Sequence, residues 1–266
     1  MLARSAPSTS PDAVARAVEQ LRLGWRLYLV EDPPQVLFLS KVPRAVLQAV
    51  FYVLLARVTG GEQESGQSAF VGISAYLMCL SSIIAAASSP ALDRDEGTLY
   101  RVLTGAVPPF RFFVLKYLPY TGEAMLVSLA VLAVAGPVLG IGGTSVDLLA
   151  NLGLYVLMAV TSTCLGIAVG VLAIMGRSEF LLGNASSYLV LVLSGAVVPA
   201  DRLGALGHLG TVLPLTHGIE ALRLSLAGQP YAGAVAAEIA VGLGWLALAW
   251  SLAVRWGRRA RVHDLT

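Results

Sequence analysis

The sequence predicts an all-α polytopic membrane protein: six transmembrane helices, an N-terminal amphipathic helix lying on the membrane surface, and a re-entrant or extracellular helical hairpin before the last span. Composition is the first ground, because 56% of residues are hydrophobic, only 13% are charged and mean hydropathy is +0.75, too apolar for an ordinary soluble domain. Run length is the second. Apolar stretches of about 20 residues, enough to cross a bilayer core, recur between short polar connections. The third is the placement of basic residues, which gather on alternate connections. At 266 residues the chain has room for about six such helices as a single transmembrane domain.

Residues 1–10 are small and polar and lack the apolar core of a cleavable signal peptide, so they read as an unprocessed tail. Ser10 as N-cap, Pro11 at the first helical position and Asp12 in the first turn start a helix over 11–30. Val14, Val18, Leu21, Trp25 and Tyr28 form its apolar stripe, with Arg16, Glu19, Arg22 and Arg26 away from it. Such a helix lies flat, with Trp25 and Tyr28 at headgroup depth. Glu31-Asp32-Pro33-Pro34 ends it. The first span, 42–58, is bracketed by Lys41, Arg44 and Arg57, whose long side chains snorkel to the headgroups, and Val36 to Leu39 stand in line to extend it. The second, 68–90, holds no side chain that charges at neutral pH.

The third span, 112–139, is long enough to tilt or kink, and Pro119 with Gly122 offers the kink. Residues 140–147 read as a turn, 148–175 and 180–199 as the fourth and fifth spans, and 231–256 as the sixth. In 200–230, Asp201, Arg202, several glycines and Pro214 interrupt every apolar run, which predicts a hairpin whose broken backbone is satisfied by protein or water. Cys79 and Cys164 fall inside apolar runs and read as packing residues. If both termini are cytoplasmic, fifteen of the eighteen Lys and Arg lie inside, leaving only Arg57, Arg202 and Arg223 outside.

The run Asp93-Arg94-Asp95-Glu96-Gly97-Thr98-Leu99-Tyr100-Arg101 joins two membrane-length stretches, so it should sit in water. Gly97 breaks the helix leaving the membrane, Thr98 caps a new one, and Leu99, Val102 and Leu103 recur at helical spacing, which describes a short amphipathic helix over 93–110; a solvated connecting loop fits the charge pattern too. Glu96-Gly97-Thr98, Leu103-Thr104 and Lys116 together resemble the E-G-T…L…K segment of type-2 ATP-binding cassette (ABC) exporter permeases, with Tyr100 where an acidic residue is common and Ala106 where proline is usual. A second stretch, Leu193-Ser194-Gly195-Ala196, Pro199 and Leu213-Pro214-Leu215-Thr216-His217 with Glu220 and Arg223, resembles the same family before its last span.

The resemblance implies that Asp95, Glu96, Gly97, Thr98, Arg101 and Leu103 belong to a cytoplasmic coupling helix docking on a separate ABC ATPase, and that the first helix, through Arg22, Trp25 and Arg26, is a connecting helix touching that ATPase or simply an interfacial anchor. It further implies two ATPase copies carrying ATP and Mg, a second permease copy, identical or homologous, a bacterial plasma membrane location among lipids, and outward movement of a small amphipathic drug, antibiotic or lipid-like compound. No nucleic-acid partner is implied.

A phosphate-binding loop needs Gly-Lys-Ser/Thr, and the only lysines, Lys41 and Lys116, precede Val42 and Tyr117; this chain binds no ATP of its own by that motif and holds no cofactor. His208, His217 and His263 lack ligand spacing, so no metal site is expected. Ser194 is preceded two positions earlier by Val192, not by the glycine of an intramembrane serine protease, and no catalytic residue is assigned. Glu123 and Glu238 lie within spans, where an ionised carboxylate costs about 2.5–3.5 kcal/mol at mid-helix; they are structural pairs or proton and substrate sites. Tyr76, Ser81, Asn184 and Tyr188 are candidates for the substrate path or for helix packing. Glu220 and Arg223, three apart, suit a pair on one helical turn or, by the resemblance, an extracellular gate. Two rival functions stay open: a proton-coupled secondary transporter using Glu123 and Glu238, and a non-transporting membrane scaffold.

Overall fold

The computed structural model of the chain describes residues 11–60, 63–97, 109–176, 178–199 and 203–263. All regular structure among them is helical. α1 is Pro11–Glu31. Pro33, extended at φ −64° and ψ 148°, turns the chain into α2, Pro34–Gly60, which carries a π-helical turn at Leu37–Lys41. α3 is Gln63–Asp95, and α4 begins as Pro109–Ala130 and continues through a second π-helical turn, Val131–Ala135, into Gly136–Val138. α5 is Gly142–Ala150, a short helix over the predicted turn 140–147 and the first residues of the fourth predicted span. α6 is Leu152–Gly176, α7 Glu179–Leu193, α8 Ala205–Gly210, α9 Thr216–Leu226 and α10 Ala232–His263.

Each π-helical turn ends two residues before a proline, Pro43 and Pro137. A proline inside a helix has no N–H to offer and its ring crowds the carbonyl four residues back, and widening one turn absorbs both. Pro119 is handled differently. The helix runs through it, and the Leu115 carbonyl that it deprives of a partner faces α1 at Gly24, where an added Cβ would stand 3.2 Å from that oxygen. Glycine is what lets the two helices approach there.

Among the described residues, five helices are long and apolar enough to cross a membrane: Pro34–Gly60, Ser65–Asp95, Val114–Val138, Leu152–Ala173 and Ala232–Arg255. The fifth predicted span, 180–199, is a shorter apolar helix, because the chain leaves α7 after Leu193 and bends at Gly195, φ 79°. At 15 residues α7 is about 22 Å long, less than the bilayer core. The bent segment that completes it is enclosed by protein: Ser194, Gly195 and Ala196 are buried, and Gly72 of α3 lies so close that a Cβ there would meet the Ala196 carbonyl oxygen at 2.0 Å. Irregular backbone at membrane depth is tolerated only under such cover.

α3 and α6 form the buried centre, while α2 and α10 are peripheral and present apolar faces outward. Phe70, Ile73, Leu77 and Met78 of α3 pack with Leu132 of α4, Leu148 of α5 and Tyr155 and Met158 of α6. Hydroxyls link the central helices. Ser74 and Tyr155 share a hydrogen bond of 2.7 Å, and Thr121 and Thr163 one of 3.0 Å. At one end of the bundle, Arg57 donates to the Leu139 carbonyl at 2.7 Å and ties α2 to the end of α4. The opposite end carries the charges.

Candidate functional site

Lys116, Tyr120 and Glu123 stand at i, i+4 and i+7 on α4, so they form one polar stripe on an otherwise apolar helix. Three other elements meet that stripe. Lys116 Nζ reaches Asp93 Oδ1, near the end of α3, at 2.8 Å and Glu31 Oε1, the last residue of α1, at 3.6 Å. The Tyr120 hydroxyl donates to the other Glu31 oxygen. Glu123 Oε1 accepts from Lys41 Nζ of α2 at 2.8 Å, and the same ammonium holds Asp32 Oδ1 at 2.9 Å. Two lysines thus bridge four carboxylates, and α1, α2, α3 and α4 are locked at one end of the bundle.

Burial gives these contacts weight. The side chains of Lys116 and Glu123 are each only 4% exposed, so neither charge can be released without a replacement partner. Aromatic packing closes the joint from the α1 side: Tyr28 meets Tyr120 edge-on at 5.0 Å between centroids, and Trp25 meets Tyr28 at 5.8 Å. The Tyr28 phenol is pushed above its ordinary pKa by burial first and by the neighbouring Glu123 and Asp32 carboxylates after it. Tyr28 is buried against α4, where the Glu31 contact draws α1 onto that helix. Arg22, Trp25 and Arg26 occupy the exposed side of α1, where Arg22 pairs loosely with Glu19 at 3.7 Å.

α3 ends in the expected place. Gly97 takes φ 69° and its N–H bonds the Arg94 carbonyl, a left-handed closure that glycine adopts without strain. Asp95 and Glu96 are exposed, and Asp95 pairs with Arg94 at 3.1 Å. Thr98, Arg101 and Leu103 lie outside the described residues. The run is not wholly in water, however: Asp93, its first acid, is buried against Lys116. Asp93 and Lys116 consequently staple together the base of the whole 94–115 segment. Composition could not reveal this pairing, since both residues look like membrane-edge charges in the sequence.

Beside the joint is a cavity of about 380 Å³, walled by Glu31, Asp32, Lys41 and Glu123 at its polar side and by Leu80 and Ile84 of α3 at its apolar side. Of the four proposed path residues only Ser81 lines it; Tyr76 is buried in the core, and Asn184 and Tyr188 face outward on α7.

Residues 32–226, more than half of the chain, match the family model for the ABC-2 type transporter. The chain belongs to the ABC-2 type transporter family. No curated protein matches it. With its apolar helices, membership makes it a multi-pass membrane protein and the transmembrane permease component of a type-2 ABC transporter, and the family implies partnership with an ABC ATPase subunit.

In this ABC-2 permease the matched region takes in the joint apart from its α1 residues, Trp25, Tyr28 and Glu31, and ends with α9. A residue beyond it completes α9. Glu238 of α10 is fully buried; its Oε1 accepts the Leu215 N–H at 2.9 Å and the Thr161 hydroxyl at 2.5 Å, and its Oε2 accepts the Gly218 N–H at 3.0 Å. Leu215, at φ 83°, has no side-chain oxygen to cap the helix that follows, so a carboxylate from a neighbouring helix does so and meets the positive end of the helix dipole. Both oxygens of Glu238 are thereby engaged in structure. Further along α9, Glu220 is met by His217 at 3.4 Å, and Arg223 donates to the Gly195 carbonyl at 2.9 Å and so anchors α9 to the bend after α7.

Proposed function

We propose that this permease is the membrane half of an ATP-driven exporter in the bacterial plasma membrane, with both termini and the charged joint on the cytoplasmic side. Two permease copies and two ATPases, which hold the ATP and Mg, form the working unit, and the cargo is a small amphipathic compound. The observation that carries this reading is the Asp93–Lys116 staple. A push delivered to residues 95–104 cannot be absorbed by flexing the segment at its base, because the two ends are held at 2.8 Å. It passes as one displacement into α3 and α4, and through Glu31, Asp32, Lys41 and Glu123 into α1 and α2. Glu238 supports this reading over a proton-coupled one, since both its oxygens hold backbone or hydroxyl donors.

The test is co-expression of this permease with its partner ABC ATPase subunit and reconstitution in liposomes. Glu96→Ala and Gly97→Val are expected to leave insertion normal while abolishing ATP-dependent export. Export by the permease alone under a pH gradient, lost in Glu238→Gln, would overturn the proposal in favour of a secondary transporter; indifference of ATP-dependent export to both Glu96→Ala and Gly97→Val would favour a scaffold.

A further inference from the structure

We infer that the cavity beside the joint is a binding site for amphipathic organic cations, an N–H-bearing ammonium group seated at Glu123 and an apolar body lying along Leu77, Leu80 and Ile84. This deepens the exporter reading by naming its substrate class, and rests on that reading only for the direction of movement. Charge is the first ground. Three carboxylates, Glu31, Asp32 and Glu123, line the wall against two cations, Lys41 and Arg44. Arg44 is exposed, and the single ammonium of Lys41 is divided between Asp32 and Glu123. Around Glu123 negative charge is in excess.

The second ground is a buried carboxylate without a full counter-charge. Glu123 Oε1 is taken by Lys41, whose ammonium Asp32 shares, and the other donor beside the carboxylate is the neutral Tyr28 hydroxyl. A buried carboxylate with half an ammonium is costly in surroundings of low dielectric, and an ammonium ligand supplies the missing charge together with a hydrogen bond. A neutral ligand would bring only the hydrogen bond, and an anion would face three like charges.

Size and greasiness supply the third ground. At about 380 Å³ the cavity falls in the range of small-molecule sites, and its remaining wall is aliphatic. Ser81 sits on that wall, away from every ion pair of the joint, with its hydroxyl turned back to the Leu77 carbonyl at 3.2 Å.

The experiment uses the full-length permease in lipid nanodiscs and two fluorescent probes, dansyl-pentylammonium and the same molecule N-acetylated to remove its charge. Saturable binding of the ammonium probe is expected, at least about tenfold tighter than the acetylated one, as a charge-assisted hydrogen bond provides. Glu123→Gln should erase that preference, and Ser81→Phe, which fills the cavity without touching an ion pair, should abolish saturable binding of both. Equal binding of the two probes to the unmodified permease, or unchanged binding in Ser81→Phe, overturns the inference even if Glu123→Gln fails to fold. Because binding is read without ATPase, the two readings fail separately. Loss of coupling in Gly97→Val with no ammonium preference would sink the substrate class and leave the exporter standing, and the converse result would do the reverse.

Discussion

Replacing Lys116 by methionine removes the cation that joins Asp93 to Glu31, and the consequences can be worked from the burial of each partner. Asp93 is left as a nearly buried carboxylate, its side chain 10% exposed, whereas Glu31 at 23% has water within reach and keeps the Tyr120 hydroxyl. Breaking a buried pair from one side costs about 3–5 kcal/mol, and Lys116→Met should fall in that range. Asp93→Asn should cost less, about 1–3 kcal/mol, because Lys116 retains Glu31 at 3.6 Å and an amide oxygen still accepts. The sharper signature is the double variant. Replacing both members by apolar groups also removes the buried carboxylate that has lost Lys116, so Asp93→Leu combined with Lys116→Met should be more stable than Lys116→Met alone. Equilibrium unfolding in bicelles measures the stabilities, and ATP-dependent export with the partner ATPase measures coupling. Lys116→Met and the double variant should be uncoupled, since neither keeps the staple, and Asp93→Asn should be uncoupled in part. A double variant as destabilised as Lys116→Met and Asp93→Leu summed would refute the reasoning, and so would full export by the double variant.

Three further outcomes follow from the same contacts. Glu238→Ala should destabilise the permease by at least about 1–2 kcal/mol, the loss of a helix cap, while Glu238→Gln, which keeps an acceptor for Leu215, should cost less; protease accessibility of residues 211–226 checks the order. Gly72→Val should prevent stable folding, because its Cβ would collide with the Ala196 carbonyl at 2.0 Å and backbone cannot step aside as a side chain would; the fraction surviving detergent extraction as a monodisperse species reads this out. Gly97→Ala should cost about 1–2 kcal/mol of left-handed strain with no steric clash, since nothing stands within 4 Å of its Cβ position, so its effect on unfolding should be small beside that of Lys116→Met.

The architecture was legible where one helix decides its own fate. Apolar runs of bilayer length and the break at Gly97 need no knowledge of neighbours. The site was legible only in part, because each of its contacts joins residues far apart in sequence. Lys41 and Glu123 are 82 positions apart, and Tyr120 and Glu31 are 89. Read alone, Lys41 is a residue that snorkels and Glu31 a helix terminator. One local signal was present: Lys116, Tyr120 and Glu123 recur at i, i+4 and i+7, and a polar stripe in a span demands partners. Glu238 shows the same limit from the other side. Its depth in α10 marks it as special, yet whether it holds a proton or a helix depends on Leu215 and Gly218, which only the fold brings near.

The choice of lysine at both bridging positions bears on how the joint works. The sequence has sixteen arginines and two lysines, and the lysines, Lys41 and Lys116, each span a pair of carboxylates. A guanidinium would lock one carboxylate in a planar fork, whereas an ammonium is a compact charge with three rotatable donors and favours no single partner. Lys116 already holds Asp93 at 2.8 Å and Glu31 at 3.6 Å, so a shift of α3 and α4 of less than 1 Å relative to α1 would exchange the closer partner without exposing a bare charge at any stage. A joint built this way is stiff against separation, which removes a charge from its partner, and compliant to sliding, which only redistributes it. Transmission of a displacement between helices that must also slide requires both properties together.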